Sequence, residues 1–286
     1  MQTTLRIDPK DPLVALIPNI VYSQVPTYFG KVPLALHLHL LQSDECAPGE
    51  KLPTVVWIIG GAWRETAPLW RAPELTFLAK AGYNVALIDY RVHSQGYFPA
   101  AVQDVKTAIR FLRAHAEQYH VDPDRIAVMG DSAGGYLTAL TAASAGVPEF
   151  ESAEWQGFDS GVKAAVDFYG PIDLKYAKDH PYPNMADKHV TFETIFLTEE
   201  GMADPETLRL SNPLSFITEK APPFLIFHGT ADEQVLPDHS LMLYEALRAK
   251  GVPSDLYLIE GAMHATAEFL QPEIKALILD FFKKYL

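Results

Sequence analysis

From residue 54 onward, short apolar runs rich in Val and Ile alternate with longer segments whose apolar positions recur at helical spacing. The runs Thr54–Ile59, Val85–Asp89, Arg125–Gly130, Val162–Tyr169, Phe224–His228 and Asp255–Ile259 predict strands. Most are continuous enough to be buried on both faces, as parallel strands are. Ile20–Val25 and Leu34–Leu41 predict antiparallel strands; in the second, Leu34, Leu36, Leu38 and Leu40 share one face and His37 and His39 the other. Helices are predicted over Pro73–Ala81, Ala100–Tyr119, Ala133–Ala145, Pro237–Lys250 and Glu273–Tyr285. In the second of these, Val102, Val105, Ile109, Leu112 and Ala116 mark the buried stripe. The alternation predicts an α/β fold: a mostly parallel sheet of about eight strands with helices on both faces. Between about residues 172 and 218 it breaks into a stretch rich in Pro, Asp and His, with a helical hint at Phe192–Leu197. That stretch reads as a small lid-like insertion over the carboxyl edge of the sheet, within a single domain spanning residues 1–286.

The stretch RIAVMGDSAGGYLTALTAAS sets Gly130-Asp131-Ser132-Ala133-Gly134 between a predicted strand and an apolar helix. This is a Gly-x-Ser-x-Gly elbow in the strand–turn–helix context it requires. The turn is tight enough that only small flanking residues fit, and it pushes the Ser132 hydroxyl into the open above the sheet. The start of the helix also aims the Ala133 N–H at any anion forming there. Without catalysis, the same residues would be a glycine-rich turn with a serine cap.

A serine hydroxyl is a weak nucleophile until a base takes its proton, so a histidine partner is required. Of the ten histidines, His264 follows the predicted strand in LYLIEGAMH and lies at the carboxyl edge, where the elbow also emerges. His228 sits inside a strand run and is expected to line that strand's end; His115, His120 and His239 fall on or beside helices and are expected at the surface. For the acid, Asp232 in HGTADEQV follows the strand ending near His228. The order Ser132, Asp232, His264 is that of the α/β-hydrolase fold. Asp131 is the rival acid, but its side chain should turn away from the base. Gly60, Gly61, Ala62 and Trp63 follow the strand TVVWII; the backbone N–H groups of Gly61 and Ala62, with that of Ala133, are candidates to hold an oxyanion. Trp63 would border the substrate pocket, or else fill the core.

Composition narrows the function classes. With 286 residues and 48% apolar positions, the chain can bury one substantial core. A formal charge of -13, without long like-charge blocks, argues against a nucleic-acid partner. Cys46 is the only cysteine, so neither an intramolecular disulfide nor a cysteine zinc site can form. The first apolar run, Leu13 to Ile17, is too short for a secretory signal and lacks a basic flank. Runs such as Val55 to Ile59 fall far short of the roughly 20 residues of a spanning helix. A cytoplasmic location and no membrane partner are expected. His37 and His39 have no evident carboxylate partner and are expected to meet solvent, so no metal is expected.

The segments GGAW, LIDYR, the long stretch from FPAAVQDV to GDSAGG, FHGTADEQV and GAMH resemble α/β-hydrolases of the hormone-sensitive-lipase-like group. Within it, the chain is most similar to the bacterial bifunctional feruloyl and acetyl-xylan esterase branch, over roughly residues 30 to 286. The resemblance implies cofactor-free hydrolysis of small carboxylic esters, with Ser132, Asp232 and His264 as triad and Gly61, Ala62 and Ala133 at the oxyanion hole. Acetylated or feruloylated carbohydrate is among the substrates it implies. The same machinery would also serve an arylformamidase or a peptidase. A ligand-binding receptor resembling the group would lack the base, which is present here as His264. One departure stands out: Ile59 occupies the position where such relatives carry a histidine that braces the oxyanion loop. The loop is therefore expected to be anchored by apolar packing and to be less rigid, with another group satisfying its backbone.

Overall fold

The computed structural model describes residues 1–26, 33–182 and 191–286. Eight strands form one sheet: β1 (Val14–Pro26), β2 (Pro33–Ser43), β3 (Leu52–Ile58), β4 (Asn84–Ile88), β5 (Val121–Asp131), β6 (Ala164–Phe168), β7 (Phe224–Gly229) and β8 (Ser254–Ile259). Their order is β1-β2-β4-β3-β5-β6-β7-β8. β2 runs antiparallel to both β1 and β4, and every other pairing is parallel. The uninterrupted apolar runs lie at the centre, where β4, β6 and β7 are buried along their whole length. β8, at the edge, alternates exposed and half-buried positions instead.

The major helices are α1 (Ala72–Lys80), α2 (Ala100–Ala114), α3 (Ala133–Ala143), α7 (Asp238–Ala249) and α8 (Pro272–Tyr285); α4 to α6 fall in the expected insertion. α2 and α3 pack together over β5, whereas α1 and α8 meet through Lys275 above the Phe77 ring. α3 is buried from Ala133 to Ala142, which is why its sequence lacks a polar face. The predicted α2 stripe is buried as expected, but the helix stops at Ala114 rather than Tyr119. His115 stacks on Phe111 and abuts Trp155, and His120 takes a φ of 55°, so the chain turns back and Val121 N–H reaches Ala116 O.

The region between β6 and β7 is more structured than its single helical hint. It carries α4 (Leu174–Asp179), α5 (Phe192–Ala203), α6 (Pro205–Leu210) and a 3-10 turn at Pro213–Phe216. All four starts are capped by side chains: Asp173, Asp204 and Asn212 each accept a backbone N–H from the first turn, while Thr191 and Thr194 form a capping box on α5. Residues 183–190 of the expected insertion lie outside the described residues. Two further expectations are corrected at the other side of the sheet. His37 does have a carboxylate neighbour, with Nδ1 3.5 Å from Asp89, and His39 is 7% exposed, its Nδ1 accepting Asn19 N–H. Among the described residues no cluster of His, Cys, Asp and Glu could hold a metal, and no helix is long and apolar enough to cross a membrane.

Candidate active site

β5 ends at Asp131, and Ser132 follows with φ 54° and ψ −121°, a strained conformation for a residue with a side chain. The strain is held from both sides. Ser132 N–H donates to Phe168 O on β6, and Ser132 O accepts Tyr136 N–H to open α3. The flanking glycines are sterically required: a Cβ on Gly130 would strike the Ile58 and Gly134 carbonyls, and one on Gly134 would strike the Ile58 carbonyl.

The loops after β7 and β8 bring Asp232 and His264 to this turn. His264 Nδ1 lies 2.7 Å from Asp232 Oδ2, and Nε2 lies 2.9 Å from Ser132 Oγ. The carboxylate accepts only, so Nδ1 carries the proton and Nε2 presents its lone pair to the serine hydroxyl. Asp232 is fixed in turn, since Oδ1 accepts the N–H groups of Gln234 and Val235. Burial alone would push its carboxyl up, but hydrogen bonds from His228, His264 and Val235 outweigh it and hold Asp232 well below the usual carboxylate range.

His228 stands directly behind the acid. It is fully buried, with Nε2 2.8 Å from Val235 O and 3.4 Å from Asp232 Oδ2, and Nδ1 2.7 Å from Ser240 Oγ. A carbonyl can only accept, so Nε2 donates to Val235 O, while Nδ1 is hydrogen-bonded to the Ser240 hydroxyl. His228 thus ties the 232–235 turn to α7. Asp131 turns away from His264 as expected and makes a different contact described below.

The backbone N–H groups of Gly61, Ala62 and Ala133 have no acceptor among the described residues, and all three residues border the openings around Ser132. The 61–63 loop runs through positive φ at Gly61 (140°), Ala62 (51°) and Trp63 (56°). Trp63 anchors it: the ring is 1% exposed, stacks on Phe196 at 4.5 Å and meets Tyr136 edge-on, while also lining the pocket behind Ser132. Trp63 is thus core filling and also a wall of this opening.

Ile59 is buried, yet the loop is not held by packing alone. Tyr90 Oη donates to Ile59 O at 2.8 Å, and Gly60 N–H donates to Asp131 Oδ1 at 2.7 Å. Arg71 stands 4.0 Å from the same carboxylate, opposing the upward push that burial gives Asp131. Two hydrogen bonds therefore bracket the loop, so groups other than Ile59 satisfy its backbone, as expected, while the buried Ile59 side chain adds packing. The consequence is testable at Tyr90. Tyr90→Phe strands a buried carbonyl, which should cost about 1–3 kcal/mol of stability, and should lower kcat about 10-fold with little change in KM. Ile59→Ala, which keeps both bonds, should lower kcat less. Chemical denaturation and steady-state kinetics of the two variants check this ordering.

His239, expected at the surface, is 1% exposed: Asp173 N–H donates to its Nδ1 at 3.2 Å, and it lines the pocket behind Ser132. Two openings meet at Ser132. One is narrow, about 30 Å³, and runs beneath α4 and α5; the other is an open cleft of about 770 Å³ lined by Arg64, Glu65, Trp70, Arg71, His93 and His264.

A doubly covered, mostly parallel sheet with a serine elbow after its central strand defines the α/β-hydrolase fold. Residues 44–247 match the BD-FAE family, and the chain belongs to that family. It is similar to esterase LipQ of Mycobacterium tuberculosis, 31% identical over 231 residues, which is 80% of this chain and 53% of that protein. The chain spans about half the length of the curated relatives it matches. Among solved structures it resembles a truncated form of a carbohydrate esterase from gut microbiota, with a TM-score of 0.82 over 96% of this chain and 99% of that one; at 24% identity, this likeness speaks for the fold alone. Apo Thermogutta terrifontis esterase 2 aligns at 26% identity and a TM-score of 0.73, over 98% of this chain and 96% of that one.

Proposed function

We propose that the protein is a serine carboxylic ester hydrolase that acts on small esters of short acyl groups. The observation that carries this reading is the unbroken chain Asp232–His264–Ser132, at 2.7 and 2.9 Å, beside openings that Gly61, Ala62 and Ala133 border with backbone N–H groups lacking an acceptor among the described residues. Ser132 Oγ attacks the ester carbonyl carbon while His264 Nε2 takes its proton. The carbonyl oxygen becomes an oxyanion, received by Ala133 N–H and by N–H groups of Gly61 and Ala62. His264 then protonates the leaving alcohol oxygen, and the acyl group stays on Ser132. Water repeats the sequence, releasing the acid and restoring the serine. The esterases among the relatives support this chemistry.

The two openings divide the substrate. The leaving oxygen must lie beside His264, which borders the wide cleft and not the narrow pocket, so the alcohol occupies the cleft and the acyl group the pocket. A pocket of about 30 Å³ favours a short acyl group such as acetyl over a feruloyl group. The cleft, with charged side chains and the exposed Trp70 ring, suits a polar alcohol such as a carbohydrate. A panel of acetyl, butyryl, octanoyl and feruloyl aryl esters tests the reading, with N-formylkynurenine added for the amidase alternative. The expected kcat/KM falls at least about 10-fold from acetyl to octanoyl. A higher value for octanoyl would reverse the acyl assignment, and turnover of formylkynurenine alone would replace the esterase reading.

A further inference from the structure

The narrow pocket behind Ser132 is lined by two buried polar side chains that hydrolysis itself does not use, His239 and Glu193. Because Asp173 N–H donates to His239 Nδ1, the ring's proton sits on Nε2, and Nε2 has no partner among the described residues. Burial pushes the imidazole pKa down to about 3, so the ring stays neutral and Nε2–H is a fixed donor. Glu193, in the first turn of α5, is 7% exposed; burial pushes its carboxyl pKa up, against hydrogen bonds from the Thr191 side chain and its own backbone. The nearby Lys178 pairs with Glu199 instead.

A hydrocarbon acyl tail would dehydrate this donor and this carboxyl without replacing their hydrogen bonds. An ammonium would satisfy Glu193 and leave His239 facing a cation. A hydroxyl serves both, accepting from Nε2–H and donating to the carboxyl. Resting on the esterase reading above, we propose that the pocket selects a short acyl group bearing a hydroxyl, so that the preferred substrates are hydroxyacyl esters such as glycoloyl. Beyond its carbonyl carbon a glycoloyl group carries one methylene and one hydroxyl, a short group suited to a narrow pocket.

The test compares 4-nitrophenyl hydroxyacetate with its isostere, 4-nitrophenyl propionate, each kcat/KM being divided by the hydroxide-catalysed rate constant of the same ester. The purified protein is expected to favour the hydroxyacetate at least about 10-fold on this corrected scale. In His239→Asn, whose side-chain oxygen can still accept the Asp173 N–H, the ratio is expected to fall below about 2-fold. Glu193→Gln, an isosteric change, is the second variant and decides the matter if His239→Asn does not fold. Propionate turnover with a corrected ratio near unity overturns the hydroxyacyl proposal and leaves the esterase reading standing. No turnover of either ester overturns both. A ratio unchanged in both folded variants, or a stronger preference for the aminoacetyl ester, also overturns it.

Discussion

Ser132→Ala is expected to abolish ester hydrolysis and leave the fold unchanged. The substitution removes a hydroxyl from a turn whose shape is set by main chain: Ser132 N–H bonds Phe168 O, Ser132 O bonds Tyr136 N–H, and the flanking glycines clear the Ile58 carbonyl. The one bond lost is the 2.9 Å contact with His264 Nε2, an exchange for solvent at an open site. Loss of a nucleophile in such a triad costs about 10⁶ in kcat. Matched far-UV spectra and melting temperatures would establish the intact fold. Residual turnover above a few per cent of the parent would refute the nucleophile assignment. An organophosphate such as paraoxon gives an independent reading, since it should phosphorylate the parent at Ser132 and leave the variant unmodified.

Asp232→Asn should be nearly as damaging, by a different route. In the parent, Oδ1 accepts from Gln234 and Val235 N–H while Oδ2 accepts from His264. The new amide must keep its oxygen toward the two backbone donors, which turns its NH2 toward His264. A donor there can be met only if His264 Nδ1 gives up its proton, and the imidazole then carries it on Nε2, facing Ser132. That tautomer cannot accept the serine proton. A fall of about 10⁴ in kcat is expected with KM little changed. The effect should ease at high pH, where hydroxide can replace the base. A kcat within 10-fold of the parent would show that Asp232 does not set the tautomer.

What the sequence made legible is what local spacing encodes. The elbow is written in contiguous residues, and Asp232 and His264 each follow a run that reads as a buried strand, so chain order and sheet edge point to them together. The brace of the oxyanion loop is not written that way. Tyr90 reaches Ile59 across 31 residues and Asp131 reaches Gly60 across 71, and neither contact leaves a trace in periodicity. His239 was hidden for another reason: it sits in the first turn of a helix, between Asp238 and Ser240, where a polar residue reads as solvent-facing. The Asp173 loop and the Tyr176 ring folding over it make it interior. The insertion helices are short and capped by Asp, Thr and Asn, residues that also fill ordinary turns, so they were legible only in part.

The bond between Ser132 and His264 joins residues 132 positions apart, and β8, which precedes the histidine, is the last strand of the chain and the outermost on its side of the sheet. A folding intermediate that has already assembled the β3–β5–β6 centre, with its elbow formed, still lacks a base. β8 docks on β7, itself seated on β6, so the base arrives only after the sheet has grown outward from that centre. Recovery of turnover after dilution from denaturant is therefore a clock for the docking of the final strand: in a chain that forms its central strands first it lags their optical signal, and in two-state folding the two coincide.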